Sequence, residues 1–149
     1  MPFLGEAIQV SGAVFVPDAP NEALPVLVHH HGTTFKRQAA PSFKDDLSNL
    51  GFAMASLGFL VLMPDYVGLG ESSLPHPYCH AESEAEAGWS MVERVAELVW
   101  DLDVGLNGGL YLMGYSQGGH GAMAMAQAGV PESLEGELSL KAAAPLSGP

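Results

Sequence analysis

The chain has 149 residues, with 17 acidic and 5 basic side chains, a formal charge of −12 and a single cysteine. This length predicts one domain, the negative charge argues against nucleic acid and anionic membrane surfaces as partners, and one cysteine excludes a disulfide within the chain. No apolar run is long enough to span a membrane, and the first ten residues lack the pattern of a signal peptide, so a cytoplasmic location is the default.

The first half of the chain predicts two strands and a helix. Residues 7–16 are rich in β-formers and end at a turn, and residues 25–31 form a short apolar run typical of a buried parallel strand. A helix is predicted to begin at Ser42, as its N-cap, and to end at Gly58 in the left-handed conformation. Its apolar face comprises Phe43, Leu47, Leu50, Met54 and Leu57.

The second half continues the alternation. Buried strands are predicted at residues 59–63 and 110–114, a further strand at residues 138–147, and helices at residues 82–102 and 118–128. Between the first of these strands and its helix lies a loop with two glycines, at residues 64–72. The order of elements predicts an α/β fold in one domain, with a mostly parallel sheet, helices on both faces and right-handed crossovers.

One short stretch, GYSQGGHG at residues 114–121, indicates a catalytic serine. It follows an apolar strand and precedes helix-forming residues, which is the sharp turn that presents a nucleophile. Gly114 and Gly118 leave room where a Cβ would be crowded, Ser116 is the candidate nucleophile, and the N–H of Gln117 is a candidate oxyanion donor. The alternative is a glycine-rich turn with an incidental serine.

A second oxyanion donor is expected after the strand at residues 25–31. Gly32 would let the backbone turn sharply, so that the N–H of Thr33, or failing that of Thr34, faces the site. Three adjacent histidines precede it, and His29 and His31 could share a face of the strand as metal ligands. No partner motif accompanies them, so neither a metal nor a cofactor is predicted.

Taken together, these motifs resemble the α/β-hydrolase superfamily, and within it the lipase and esterase group that includes secretory lipases and their bacterial relatives. The resemblance covers residues 8–149 and rests on HGTT at 31–34, PDYVGLGES at 64–72, HPY at 76–78 and GYSQGGH at 114–120. It implies a serine hydrolase of carboxylic esters that acts through an acyl-enzyme. Ser116 would be the nucleophile, with Gln117 and Thr33 forming the oxyanion hole. The loop containing Asp65, Tyr66, Gly68 and Gly70 would shape the rim. Acyl-protein thioesterases share a similar serine bend but lack the second and third motifs.

The rest of the catalytic triad is not evident. The family order is nucleophile, acid, histidine, yet only His120 and three glutamates, Glu132, Glu135 and Glu137, follow Ser116. His120 is expected to be a structural or rim residue. Cys79 beside His80 could suggest a thiol nucleophile, but an ordinary loop is favoured.

We therefore expect residues 1–149 to form a single partial α/β-hydrolase domain that lacks the C-terminal strands. Alone it would be inactive, and it could self-associate through its exposed sheet edge. Its expected partner is a small-molecule ester. Two alternatives remain, namely a non-catalytic binding module with this scaffold and one part of a split hydrolase.

Overall fold

A computed structural model describes residues 2–3, 6–18, 22–43, 45–101 and 104–149, and it contains two sheets. Strands β1 (Pro2–Phe3) and β2 (Glu6–Ala7) form a small antiparallel pair. The main sheet has five strands in the order β3-β5-β4-β6-β7. These strands are β3 (Gly12–Phe15), β4 (Leu24–His30), β5 (Leu60–Pro64), β6 (Leu106–Tyr115) and β7 (Ser139–Leu146).

Four strands of this sheet are parallel. Strand β4 pairs in parallel with β5 and β6, and β6 pairs in parallel with β7, while β3 lies antiparallel to β5 at one edge. The predicted mostly parallel α/β fold is confirmed. The strand predicted at residues 7–16 is shorter, because only Gly12–Phe15 joins the main sheet.

Within the described ranges, three α-helices connect the strands: α1 (Asp45–Ser56), α2 (Ala81–Asp101) and α3 (Gln117–Ala128). Short 3₁₀ turns occupy Arg37–Ala39, Pro41–Phe43 and Glu132–Leu134. The predicted N-cap at Ser42 is wrong, because Ser42 lies inside a 3₁₀ turn and bonds to Asp65 through its backbone N–H and its hydroxyl. Residue 102, the predicted end of α2, lies outside the described residues.

The predicted apolar face of α1 is only partly correct. Phe43 and Leu57 are 50% and 71% exposed, since Phe43 precedes the helix and Leu57 follows it. The side chain of Leu47 lies outside the described part of the chain. Gly58 has a φ of +91°, the left-handed conformation expected at the end of this helix.

The core lies on both faces of the sheet, because successive strand residues point to opposite sides. On one face, α2 and α3 cover alternate strand residues such as Val26 and Val28. On the other face, Leu27 and Val61 pack with Ala55 of α1. The prediction of helices on both faces is therefore confirmed.

Strand β7 is an edge of the main sheet, since it pairs only with β6 among the described residues. Its middle residues, Lys141, Ala142, Ala143 and Ala144, are exposed. No helix in the described ranges is both long and apolar enough to cross a bilayer.

Candidate active site

Ser116 occupies the single residue between β6 and α3, and its backbone is in an unusual conformation. Its φ is 57° and its ψ is −123°, a region that costs a residue other than glycine on the order of 1–3 kcal/mol. Two backbone hydrogen bonds hold it there: its N–H donates to the carbonyl of Leu146 at 2.9 Å, and its carbonyl accepts from the N–H of His120 at 3.1 Å. The serine is therefore fixed at a sharp bend between strand and helix.

The two glycines that flank this bend sit where backbones meet. A Cβ on Gly118 would overlap the carbonyl oxygen of His30 at the end of β4. A Cβ on Gly114 would overlap the carbonyl of Gly118 and would lie 2.8 Å from the His30 oxygen. Helix α3 can therefore begin directly against β4 only if both positions lack a side chain.

Thr33 and Ser116 lie beyond the same ends of neighbouring parallel strands. His30 of β4 is paired in register with Gly114 of β6. Thr33 follows His30 by three residues, and Ser116 follows Gly114 by two residues. Thr33 is exposed, and its hydroxyl lies 3.1 Å from that of Tyr78. The carboxyl ends of parallel strands are where ligands bind in open α/β sheets.

The expected sharp turn at Gly32 does not depend on a left-handed conformation. Gly32 has no positive φ, and a Cβ there would lie 3.4 Å from the carbonyl of Tyr115, at the border of ordinary contact. Neither the backbone conformation nor the space around Gly32 therefore requires a glycine.

A cavity of about 420 Å³ lies beside Thr33. Its lining includes the rings of Phe35, His76 and Tyr78 and the side chain of Leu69. This size is within the range of small-molecule sites, roughly 300–1,000 Å³.

Sequence reasoning missed a buried carboxylate beneath the serine bend. The Glu84 side chain is 1% exposed, and it lies 2.8 Å from Gln117 Nε2 through Oε1 and 2.7 Å from His120 Nδ1 through Oε2. A signal for it was available: on α2, Glu84 falls on the same helical face as Gly88, Met91 and Val95, so it interrupts an apolar stripe. A charge in such a position must be paired to be buried.

His76, which is half-buried, completes this network. Its Nδ1 lies 2.7 Å from the carbonyl of Val67, which can only accept, so Nδ1 carries the hydrogen and Nε2 is an acceptor. Gln117 Nε2 lies 2.9 Å from that acceptor. Both hydrogens of the Gln117 amide are therefore engaged, one with His76 and one with Glu84.

Solved structures with the same architecture include several hydrolases. A Legionella pneumophila protein assigned as a hydrolase is 33% identical, with a TM-score of 0.86, and the match covers 97% of this chain and 39% of that one. The rice cell wall degrading esterase LipA of Xanthomonas oryzae is 35% identical, with a TM-score of 0.82 and the same coverages, 97% and 39%. This chain has the fold of an incomplete α/β-hydrolase.

Candida antarctica lipase A, in its closed state, shares this fold at 17% identity, with a TM-score of 0.68 and coverage of 95% of this chain and 34% of that one. The chain thus spans about two fifths of the length of the first two structures. No protein-family model and no curated protein sequence matches it. The predicted resemblance to α/β-hydrolases is confirmed by structure.

The histidines at the end of β4 belong to the interior of this hydrolase fold. Burial and the neighbouring His31 lower the pKa of His29 to about 4, and burial, with smaller contributions from His29 and His31, lowers the pKa of His30 to about 3. Burial also lowers the pKa of His31. His30 Nε2 lies 3.4 Å from the sulfur of Met125, and the described residues do not gather these three rings into a metal-binding group.

Cys79 lies near the network of Glu84, Gln117 and His120. Its sulfur, a Glu84 carboxylate oxygen and a His120 ring nitrogen lie within 4.8 Å of one another, and such a donor set can bind zinc. Two ligands on one tetrahedral zinc would be roughly 3.3 Å apart, given metal–ligand bonds of about 2.0–2.2 Å. The 2.7 Å contact between Glu84 and His120 is a hydrogen bond, so we assign no metal here. The ring of His80, the residue that follows Cys79 in the sequence, has its Nδ1 at 3.2 Å from Ser83 Oγ.

The loop after β5 was expected to shape the rim of the site, but several of its residues are buried. Asp65 is 0% exposed and accepts from Ser11 Oγ at 2.6 Å as well as from Ser42. Tyr66 is also buried and donates to the carbonyl of His31 at 3.0 Å. Gly68 lines the cavity beside Thr33. Asp65 and Tyr66 thus anchor the loop from inside, and only part of it reaches the cavity.

Proposed function

We propose that this chain carries the nucleophile and the oxyanion hole of a serine hydrolase that cleaves carboxylic esters. The observation that carries the proposal is the strained backbone of Ser116, at a bend between β6 and α3 where Gly114 and Gly118 allow no Cβ. Strain of this kind persists where surrounding structure enforces it, and it is concentrated at functional sites.

The reaction follows from this arrangement. Ser116 Oγ attacks the ester carbonyl carbon as a base takes its proton, and the carbonyl oxygen becomes an anion. The N–H groups of Gln117 and Thr33 stabilise that anion, and one such donor contributes about 10²–10³ in rate. When the C–O bond breaks, the alcohol leaves with the proton. Water then hydrolyses the acyl-enzyme to release the acid and regenerate Ser116.

We propose that the general base and its carboxylate come from outside residues 1–149. Within the described residues, His120 is the histidine that follows Ser116, but its ring has a hydrogen bond to Glu84 and none to the Ser116 hydroxyl, and it lies on the helix that leads away from the bend. Without a base, residues 1–149 would keep at most a residual acceleration, about 10³–10⁴ over water. We therefore expect little ester turnover by this chain alone.

Labelling with a fluorophosphonate tests the nucleophile assignment on the full-length gene product. Mass spectrometry of the digested adduct is expected to place the label on Ser116. Ser116→Ala should lose both the label and the hydrolysis of short-chain esters, whereas Ser73→Ala, at an exposed serine, should keep both. Hydrolysis that survives Ser116→Ala would contradict the assignment, and an unlabelled, inactive parent protein would favour a binding module.

A further inference from the structure

Glu84 is a buried charge beside the serine bend, and none of the proposed chemical steps uses it as an acid, a base or a nucleophile. It lies in the first turn of α2, where the positive end of the helix dipole favours a carboxylate. Both of its oxygens are occupied, Oε1 by Gln117 and Oε2 by His120. It is 1% exposed, so it cannot touch a substrate.

The two partners of Glu84 are the first and fourth residues of α3, one helical turn apart on the same face. A single carboxylate therefore ties the first turn of α3 to α2, immediately after Ser116. A Cβ on Gly121 would lie 3.2 Å from Glu84 Oε2, so the carboxylate also packs closely against the helix backbone.

Gln117 links this carboxylate to the proposed oxyanion hole. Its side chain is fixed at one amide hydrogen by Glu84 and at the other by His76, and its residue is 0% exposed. Its Oε1 has no hydrogen-bond partner among the described residues, so the amide is oriented by its two donor contacts. Because the backbone N–H of the same residue is the proposed oxyanion donor, fixing the side chain restricts that N–H as well.

From these contacts we infer that Glu84 is a positioning residue for the proposed ester hydrolysis. Through Gln117 and His120 it holds the first turn of α3, and with it the strained Ser116 and the oxyanion N–H, in the orientation that the transition state requires. The inference rests on the proposed function. It assigns Glu84 no proton transfer and no contact with substrate.

Three substitutions in the full-length protein test this inference. Glu84→Met keeps much of the volume but removes both acceptors. Glu84→Gln keeps an oxygen for Gln117 and adds an amide that can donate to His120 Nδ1 in its other tautomer. Glu82→Met is the matched control, because Glu82 lies in the same turn of α2 and is exposed.

We expect Glu84→Met to lower kcat by about 10- to 100-fold at nearly unchanged KM, less than deletion of an oxyanion donor. Glu84→Gln should recover most of that loss, and Glu82→Met should match the parent. Assays are run at a temperature where circular dichroism shows every variant folded. A Glu84→Met protein with parental kcat overturns the inference. A pH–rate profile that loses a limb in Glu84→Gln also overturns it, because that result would make Glu84 an acid or base.

The backbone amide resonance of Gln117 separates this inference from the proposed function. In Glu84→Met it should shift and exchange faster with solvent, while in Glu84→Gln and Glu82→Met it should stay near its parental position. If the parent hydrolyses no ester, the proposed function fails, and this resonance still reports whether Glu84 holds the turn. An unchanged Gln117 amide in Glu84→Met overturns the positioning role whatever the activity.

Discussion

Acidification should destabilise this protein through the buried histidines at the end of β4. The folded-state pKa of His30 is about 3 and that of His29 about 4, whereas a histidine in the unfolded chain titrates near 6.5. Between these values the unfolded state binds protons that the folded state does not, so stability is fully present above about pH 6.5 and falls as the pH is lowered.

The size of the effect follows from the same values. One pKa unit corresponds to about 1.36 kcal/mol, and about pH 5 lies about 1.5 pH units below the pKa of a histidine in the unfolded chain. Over that interval, protonation stabilises the unfolded state and not the folded state. His29 and His30 should therefore each cost about 2 kcal/mol at that pH, out of a typical total stability of roughly 5–15 kcal/mol. The loss should continue toward about pH 4 for His29 and about pH 3 for His30.

Urea unfolding at about pH 7.5 and about pH 5 measures this difference directly. His30→Leu should reduce the pH-dependent loss of stability by about 2 kcal/mol, because its own packing cost is the same at both pH values and cancels. Leu27→Ala, on the same strand, should lower stability equally at both pH values. If His30→Leu keeps the full pH dependence of the parent, the assignment of that dependence to His30 is wrong.

Three further substitutions, one of them with a control substitution, test other parts of the structure. Gly118→Ala should destabilise by about 3 kcal/mol or more, because its Cβ would meet the backbone of β4, whereas Gly105→Ala, which has only ordinary contacts, should be nearly neutral in the same urea titration. Tyr66→Phe should cost about 0.5–1.5 kcal/mol in thermal unfolding through loss of the hydrogen bond to the carbonyl of His31. Ala143→Lys, on the exposed edge strand β7, should lower any self-association in sedimentation, and association that this charge leaves unchanged would exclude that edge as the contact.

The fold could be predicted well because its signals are local. Apolar runs such as residues 59–63 and 110–114 correspond to β5 and β6, and the sequence GYSQGGHG corresponds to the junction of β6 and α3. The start of α1 was missed at Ser42 because its hydrogen bonds go to Asp65, 23 residues away. Propensity and capping rules consider only neighbours in the chain.

Residue order alone determined that Ser116 follows a buried strand and precedes a helix, since hydrophobic periodicity and the glycines around the bend are properties of consecutive residues. Tertiary structure alone decided what surrounds that bend. Glu84 and His76 come from a segment more than 30 residues upstream, and they meet Gln117 only because α2 packs beside α3. The pairing that makes a buried charge tolerable depends on distance in space, and chain spacing does not encode it.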